Sequence, residues 1–239
     1  MHTHERNICW VLAAMTVLLW VGACTPHGSG EVATARSRSS RHRQASADLP
    51  FYSSKIQLHR KYLTHIVKIV RSIPGCKLLV WGVGYDSKLW CAVNQGGTTI
   101  FIEDHPKWAR QIAQEITCPV VNVSYTTRLE QANSLLRDES RLQLALPAEI
   151  QKLRFDVILV DGPDGRKAGA PGRMVSIYMS SRLSHDDSHV FVHDYQRPVE
   201  KQYGERFLAR RFGAPVIAKH RGWLAHFHRP RPLPAPRAR

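Results

Sequence analysis

Apolar residues arrive along the chain in short runs separated by amphipathic stretches, and the alternation predicts strands and helices in turn. Between Lys55 and Ile73 the residues Tyr62, Leu63, Ile66, Val67, Ile69, Val70 and Ile73 recur near helical spacing up to the Pro74-Gly75 break. LLVWGVGYDS (78–87) then runs from a strand into a glycine turn, a helix follows, and TTIFIED (98–104) reads as a second strand ending in paired acids. Pro106 opens a helix through Glu115, Pro119 to Val123 is a short strand, and Leu129 to Arg141 has the pattern of a polar-faced helix. The alternation repeats with FDVILVDG (155–162) as a strand, Gly172 to Leu183 as a helix, HVFVHD (189–194) as a strand and Pro198 to Arg211 as a helix. Val216 to Ala218 and Trp223 to Phe227 close the chain as a hairpin. Strand and helix in this order predict an α/β fold of Rossmann type, a mostly parallel sheet with helices on both faces and a terminal antiparallel hairpin.

The termini differ from this central part. Ile8 to Ala23 is an unbroken apolar run of sixteen residues behind Arg6, short for a span of about twenty residues. It reads as a signal anchor that ties the protein to a membrane; a cleaved signal peptide, or lipid attachment at Cys24 after Val21-Gly22-Ala23, are the other readings. Segment boundaries follow: an anchor over 1–27, a flexible basic stem over 28–50 rich in Ser, Arg, Gly and Ala, one domain over 51–228, and an unstructured Pro/Arg tail over 229–239.

The 239 residues carry a formal charge of +15, much of it in these termini: 1–43 hold five Lys/Arg against two acids, and 219–239 hold six against none. Such an excess suits nucleic acid, an anionic membrane or an acidic polymer. A secretory amino terminus disfavours nucleic acid as the partner. The five cysteines form no Cys-x-x-Cys pair, which argues against a disulfide framework and leaves Cys76–Cys118 as one conceivable bridge.

Chemistry is expected where strands end, because an open parallel sheet binds ligands outside the carboxyl ends of its strands. The order strand, Gly82-x-Gly84, helix, strand, acid is that of a nucleoside-binding half, with Glu103 or Asp104 accepting hydrogen bonds from the ribose diol. Asp86 and Ser87 stand where a dinucleotide fingerprint would continue toward its third glycine. With no pyrophosphate to seat, S-adenosylmethionine fits better than NAD. Asp161 and Asp194 end two further strands and could share a divalent metal ion or take the proton of a substrate hydroxyl. His193 is either a base or a packed histidine. Arg173, in GAPGRM (169–174), is either a fork for a substrate carboxylate or a loop cap, and Arg197 and Lys201 add positive charge to the same edge.

Taken together, LLVWGVGYDSKLW, GGTTIFIEDHPKW, FDVILVDGPDG, APGRM and HVFVHDYQRPVEKQYGERFL resemble the plant polysaccharide-biosynthesis family that includes glucuronoxylan 4-O-methyltransferases, over about Tyr52 to His228. The resemblance implies a class I methyltransferase-like fold and a Golgi type II membrane enzyme. Such an enzyme moves a methyl group from S-adenosylmethionine to the 4-hydroxyl of glucuronic acid on xylan or arabinogalactan. It also implies that Gly82, Gly84, Asp86 and Ser87 form the cofactor loop, Glu103 and Asp104 the ribose block, and Asp161, Arg173, His193 and Asp194 the catalytic edge. Some members of that family are associated with wall assembly without a clear activity. Tyr85 in the cofactor loop and Asp164-Gly165-Arg166-Lys167 depart from the pattern.

Overall fold

The sheet is built from β1 (Lys77–Trp81), β2 (Thr98–Glu103), β3 (Val120–Asn122), β4 (Phe155–Val160), β5 (Ser184–His193), β6 (Val216–His220) and β7 (Gly222–Phe227), in a computed structural model that describes residues 49–229. The central strands are mostly apolar, with Lys77, Thr98 and Asp156 near their starts and Glu103 at the end of β2, and their apolar residues are buried on both faces, which is what a covered parallel sheet requires. Alternate residues then serve opposite cores. Leu78, Val80, Phe101, Val157, Leu159 and Phe191 pack with α1 (Arg60–Ser72) and α2 (Ser87–Val93), while Leu79, Trp81, Ile158 and Val160 face the other side. After α3 (Pro106–Ala113), that second side is filled by α4 (Ala132–Leu135), α5 (Ala148–Lys152), α6 (Met174–Leu183), α7 (Pro198–Tyr203) and α8 (Ala209–Phe212).

The strand order is β3-β2-β1-β4-β5-β7-β6, with β1 to β5 parallel and β7 antiparallel to both of its neighbours. The chain winds outward from β1 through β2 to β3, then returns to lay β4 on the other side of β1. The winding reverses between β1 and β4, and open α/β sheets bind their ligands beyond the carboxyl ends of the strands at such a point. The expected fold, a mostly parallel Rossmann-like sheet with a terminal antiparallel pair, is the one observed. Tyr62 on α1 fastens the hairpin, because its hydroxyl lies 2.9 Å from the Ala218 carbonyl and 2.6 Å from that of Gly222, and it accepts from His220 N at 2.6 Å.

Four local expectations need correction. Leu129 to Arg141 is not one helix but a 3-10 turn (Leu129–Gln131), α4 and a second 3-10 turn (Glu139–Leu142). Short polar side chains compete with the helical ladder there; Ser134 Oγ, for one, donates back to the Gln131 carbonyl at 2.8 Å. Between Pro198 and Arg211 the helix widens into a π turn (Gly204–Leu208). A Cβ on Gly204 would come within 2.7 Å of the Tyr195 ring, so the backbone lies flush on that ring. Between Lys55 and Ile73 the helix starts only at Arg60, where His59 caps it through Nδ1. Cys118 is bonded to Cys91, and Cys76 is buried as a free thiol, so the conceivable Cys76–Cys118 bridge is not the one made. The anchor, all of the stem except its last two residues, and the tail beyond Arg229 lie outside the described residues. Among the described residues, no helix is long and apolar enough to cross a membrane.

Candidate functional site

The loop after β1 begins at Gly82, whose φ of 99° is open to glycine and costly for other residues. A Cβ there would sit 3.2 Å from the Gly162 backbone, and one on Gly162 would sit 2.8 Å from Gly82, so the two strand ends approach through paired glycines. From Gly82 the chain turns to place Val83 N 2.9 Å from Glu103 Oε2, at the end of β2. The other oxygen, Oε1, accepts from His105 N at 2.8 Å, and Trp108 Nε1 donates to the Val83 carbonyl at 2.8 Å. The Glu103 carboxylate is thereby fixed by two backbone amides, and each oxygen keeps lone-pair capacity for another donor. Burial raises its pKa and the two amide bonds oppose that rise.

The other predicted loop residues divide by what their side chains touch. Ser87 is buried and its hydroxyl accepts from Gly84 N at 3.0 Å, so it shapes the loop from within. Asp86 Oδ2 accepts from Trp90 Nε1 at 2.8 Å. Burial, followed by the charge of Asp161, pushes the Asp86 carboxyl up to about 6. Asp104 lies partly exposed beside Glu103, its pKa raised first by burial.

At the ends of β4 and β5 a second group assembles around Arg173, which is 5% exposed. Its Nε lies 3.3 Å from the Pro163 carbonyl, Nη1 is 2.8 Å from the His193 carbonyl and 3.3 Å from Asp194 Oδ2, and Nη2 is 2.9 Å from the Asp161 carbonyl and 3.1 Å from Asp161 Oδ1. A guanidinium has five N–H groups, and here five protein acceptors surround it. Neither a free fork for a substrate carboxylate nor a surface cap describes it: Arg173 is a buried clamp between two strand ends, and that expectation is corrected.

His193 Nδ1 stands 2.8 Å from Asp161 Oδ1, while its Nε2 is buried without a hydrogen-bond partner against Gly222, where a Cβ would lie 2.6 Å away. Of the two alternatives for His193, base or packed histidine, these contacts favour the packed one, with Nδ1 on Asp161 and Nε2 turned toward Gly222. Burial alone would lower the His193 pKa, but Asp161 outweighs it and the net shift is upward. The Asp161 carboxyl is raised by burial and lowered more by His193 and Arg173, for a net shift downward. Asp194 sits at a φ of 59°, a left-handed conformation that Asp tolerates better than most, and Arg197 Nη2 pairs with its Oδ2 at 2.7 Å. Arg197 is held from behind by Glu200 at 3.4 Å, an acid buried on α7. Lys201 is exposed on α7, 3.9 Å from Glu205.

Asp161, His193 and Asp194 offer ligand atoms within 4.8 Å of one another, the spacing of a metal site. Arg173 already bonds Asp161 Oδ1 and Asp194 Oδ2, and His193 faces the same Asp161 oxygen. The inner side of the pair is thus filled by a guanidinium, which leaves Asp161 Oδ2 and Asp194 Oδ1 as the only carboxylate oxygens without a cationic partner. Those two oxygens, with His193 Nδ1 taken up by Asp161 and its Nε2 buried against Gly222, do not make the three- or four-ligand set of a protein-held metal.

Family comparison bears directly on this arrangement. The model of the IRX15/IRX15L/GXM family matches residues 61–144 and 137–227, which take in the loop from Gly82 to Ser87, Glu103 and the whole Arg173 cluster. The chain belongs to this family. Among its relatives in Arabidopsis thaliana, Glucuronoxylan 4-O-methyltransferase 1 is 30% identical across 94% of this chain and 90% of that protein. Arabinogalactan O-methyltransferase 2 is 31% identical over 69% of this chain and 64% of its own length, and Protein IRX15-LIKE is 37% identical over 66% and 56%. Among solved structures, a SAM-dependent O-methyltransferase from Thermotoga maritima aligns with a TM-score of 0.45 at 13% identity, covering 76% of this chain and 69% of that one. The fold assignment rests on the strand order and on family membership, not on that superposition.

Proposed function

We propose that the protein is an S-adenosylmethionine-dependent O-methyltransferase acting on the 4-hydroxyl of glucuronic acid in a cell-wall polysaccharide such as glucuronoxylan. The observation that carries this reading is the Glu103 carboxylate, fixed by Val83 and His105 amides beside the Gly82–Gly162 approach. It is a rigid acceptor for a sugar diol at the point where the sheet's winding reverses. The methyltransferase relatives supply the reaction class and acceptor.

S-adenosylmethionine supplies an electrophilic methyl carbon and departs as S-adenosylhomocysteine. The Gly82 to Gly84 backbone and Glu103 hold the adenosine, with Asp104 beside them. Asp161, fixed through Oδ1 by His193 and Arg173, presents Oδ2 to accept the proton of the sugar hydroxyl as that oxygen bonds the methyl carbon. Its depressed pKa makes it a weak base, so alignment of the two reactants supplies most of the acceleration and proton transfer the smaller part. Asp194, locked by Arg173 and Arg197, holds the edge in place. Of the three cations expected to grip the uronate, Arg173 and Arg197 are engaged by protein carboxylates at the strand ends, and Lys201, exposed and in a long 3.9 Å pair with Glu205, is the one that can turn to that contact.

Incubating the full-length protein with labelled methyl donor and a panel of glucuronic-acid-bearing glycans, with and without chelator, tests the reading. It predicts label at the uronate 4-hydroxyl. Absence of label in every glycan would remove it. A second reading, a non-catalytic factor in polysaccharide synthesis, draws on the 37% identity to Protein IRX15-LIKE, and titration with S-adenosylmethionine separates the two because a scaffold has no need to bind it. We further propose that Ile8 to Ala23 anchors the protein in the Golgi membrane as a single-pass type II protein, with domain limits as read from the sequence. Protease protection of the 51–228 domain in sealed vesicles is the expected result, and a freely soluble, cleaved product the contrary one.

A further inference from the structure

A cavity of about 290 Å³ lies outside the Glu103 and Asp161 clusters. It shares Gly84 and Ser87 with the cofactor loop and continues past Tyr85 to Phe51 and Tyr52, ahead of α1. Its volume is near the lower limit for small-molecule sites, room for about one ring. The three aromatic rings at its rim are among the few large apolar side chains left in solvent: Phe51 is 64% exposed, Tyr52 47% and Tyr85 50%. Cations accompany them. Lys55 Nζ stands 5.4 Å from the centre of the Tyr85 ring and the Arg60 guanidinium 5.5 Å from that of Tyr52, both exposed.

A solvent-facing aromatic cluster beside a cleft marks a binding surface more often than an accident of packing. The charges select its occupant. An apolar peptide or a lipid tail has no use for Lys55 and Arg60, whereas a pyranose chain offers C–H faces to lie on aromatic rings and, when it bears uronic acid, carboxylates for the cations. On the proposed reading of the site, we infer that Phe51, Tyr52 and Tyr85, with Lys55 and Arg60, form a subsite for the acidic polysaccharide beyond the sugar that reacts. Tyr85 is the residue by which this chain's cofactor loop departs from the family pattern, and here it joins the methyl-donor cradle to the polymer track.

The test uses the full-length protein and its Phe51→Ala/Tyr52→Ala variant. Both side chains are exposed enough for the fold to tolerate their loss, as matching thermal midpoints will verify. Calorimetric titration with a glucuronic-acid-substituted xylo-oligosaccharide, in parallel with an unsubstituted one, reads the subsite without relying on methyl transfer. Expected are an affinity about tenfold weaker in the variant, a wild-type preference for the acidic ligand, and a Lys55→Ala/Arg60→Ala variant that loses this preference. Methylation kinetics add a second readout: KM for long acceptors rises about tenfold in the aromatic variant while kcat is held. Equal binding by wild type and variant, or no binding of the acidic ligand by wild type, overturns the subsite. The proposed activity is judged separately by whether wild type methylates any acceptor, so either idea can fail while the other stands.

Discussion

At the scale of single residues, the site is organised by one buried guanidinium. Arg173 spends its five donors on the ends of β4 and β5, and it neutralises Asp161 and Asp194 at once. Removing it leaves Asp161 with His193 and Asp194 with Arg197 as their remaining cationic partners and strips the buried strand-end carbonyls of their donor, so Arg173→Ala should cost about 3 kcal/mol. Chemical denaturation reads that loss directly; a change below about 1 kcal/mol would show that the clamp is dispensable. Asp161→Asn keeps the shape but removes the proton acceptor, and should lower turnover by at least about 10²-fold while calorimetric binding of the methyl donor persists. Unchanged turnover would take Asp161 out of the mechanism. What the sequence disclosed at this scale was residue type and position: Glu103, Asp161 and Asp194 all end strands. It did not disclose the partners, because Arg173 meets Asp161 and Asp194 only once β4 and β5 lie side by side, and nothing local to GAPGRM announces that.

At the scale of elements, the junction of α1 with β5 and β7 carries a strip of imidazoles. His226 Nδ1 lies 3.3 Å from His65 Nε2, its Nε2 lies 3.0 Å from His189 Nδ1, and His228 stacks on His189 at 3.7 Å. Burial first, then the neighbouring histidines, pushes His189 down to about 4 and His226 down to about 3. Above pH 6.5 neither the folded nor the unfolded chain protonates these groups, and the fold keeps its full stability. Below 6.5 the unfolded chain takes up protons that the folded chain refuses, so stability falls with pH until the folded values are reached, by at most ~1.4 kcal/mol per unit for each group. His193, raised by Asp161, acts oppositely: it favours the fold at low pH and loses that contribution as pH rises through its folded value. Urea midpoints at pH 7.5 and 5 should therefore drop toward acid in the wild type and drop much less in a His189→Gln/His226→Gln variant. Equal drops in both would contradict the assignment. Elements of strong, uninterrupted periodicity were legible: the central strands, α3, α6 and the closing hairpin. The broken stretch over 129–142 and the π turn at Gly204 were not, because side-chain competition and contact with Tyr195 overrule the period there.

At the scale of the whole molecule, one reversal of winding sets the site. β1 leads into the Gly82 loop and β4 into Asp161, and they are neighbours only because the chain doubles back past β1. The parallel sheet was foreseen from alternation alone, and the Cys91–Cys118 link was not, since it joins α2 to the segment before β3 across the fold. The central claim is that Glu103 and the Gly82 loop hold an adenosine, and calorimetric titration of the full-length protein with S-adenosylhomocysteine tests it most directly. One site per chain is predicted, weakened at least about tenfold by Glu103→Ala. No binding, or equal affinity in the variant, would contradict it.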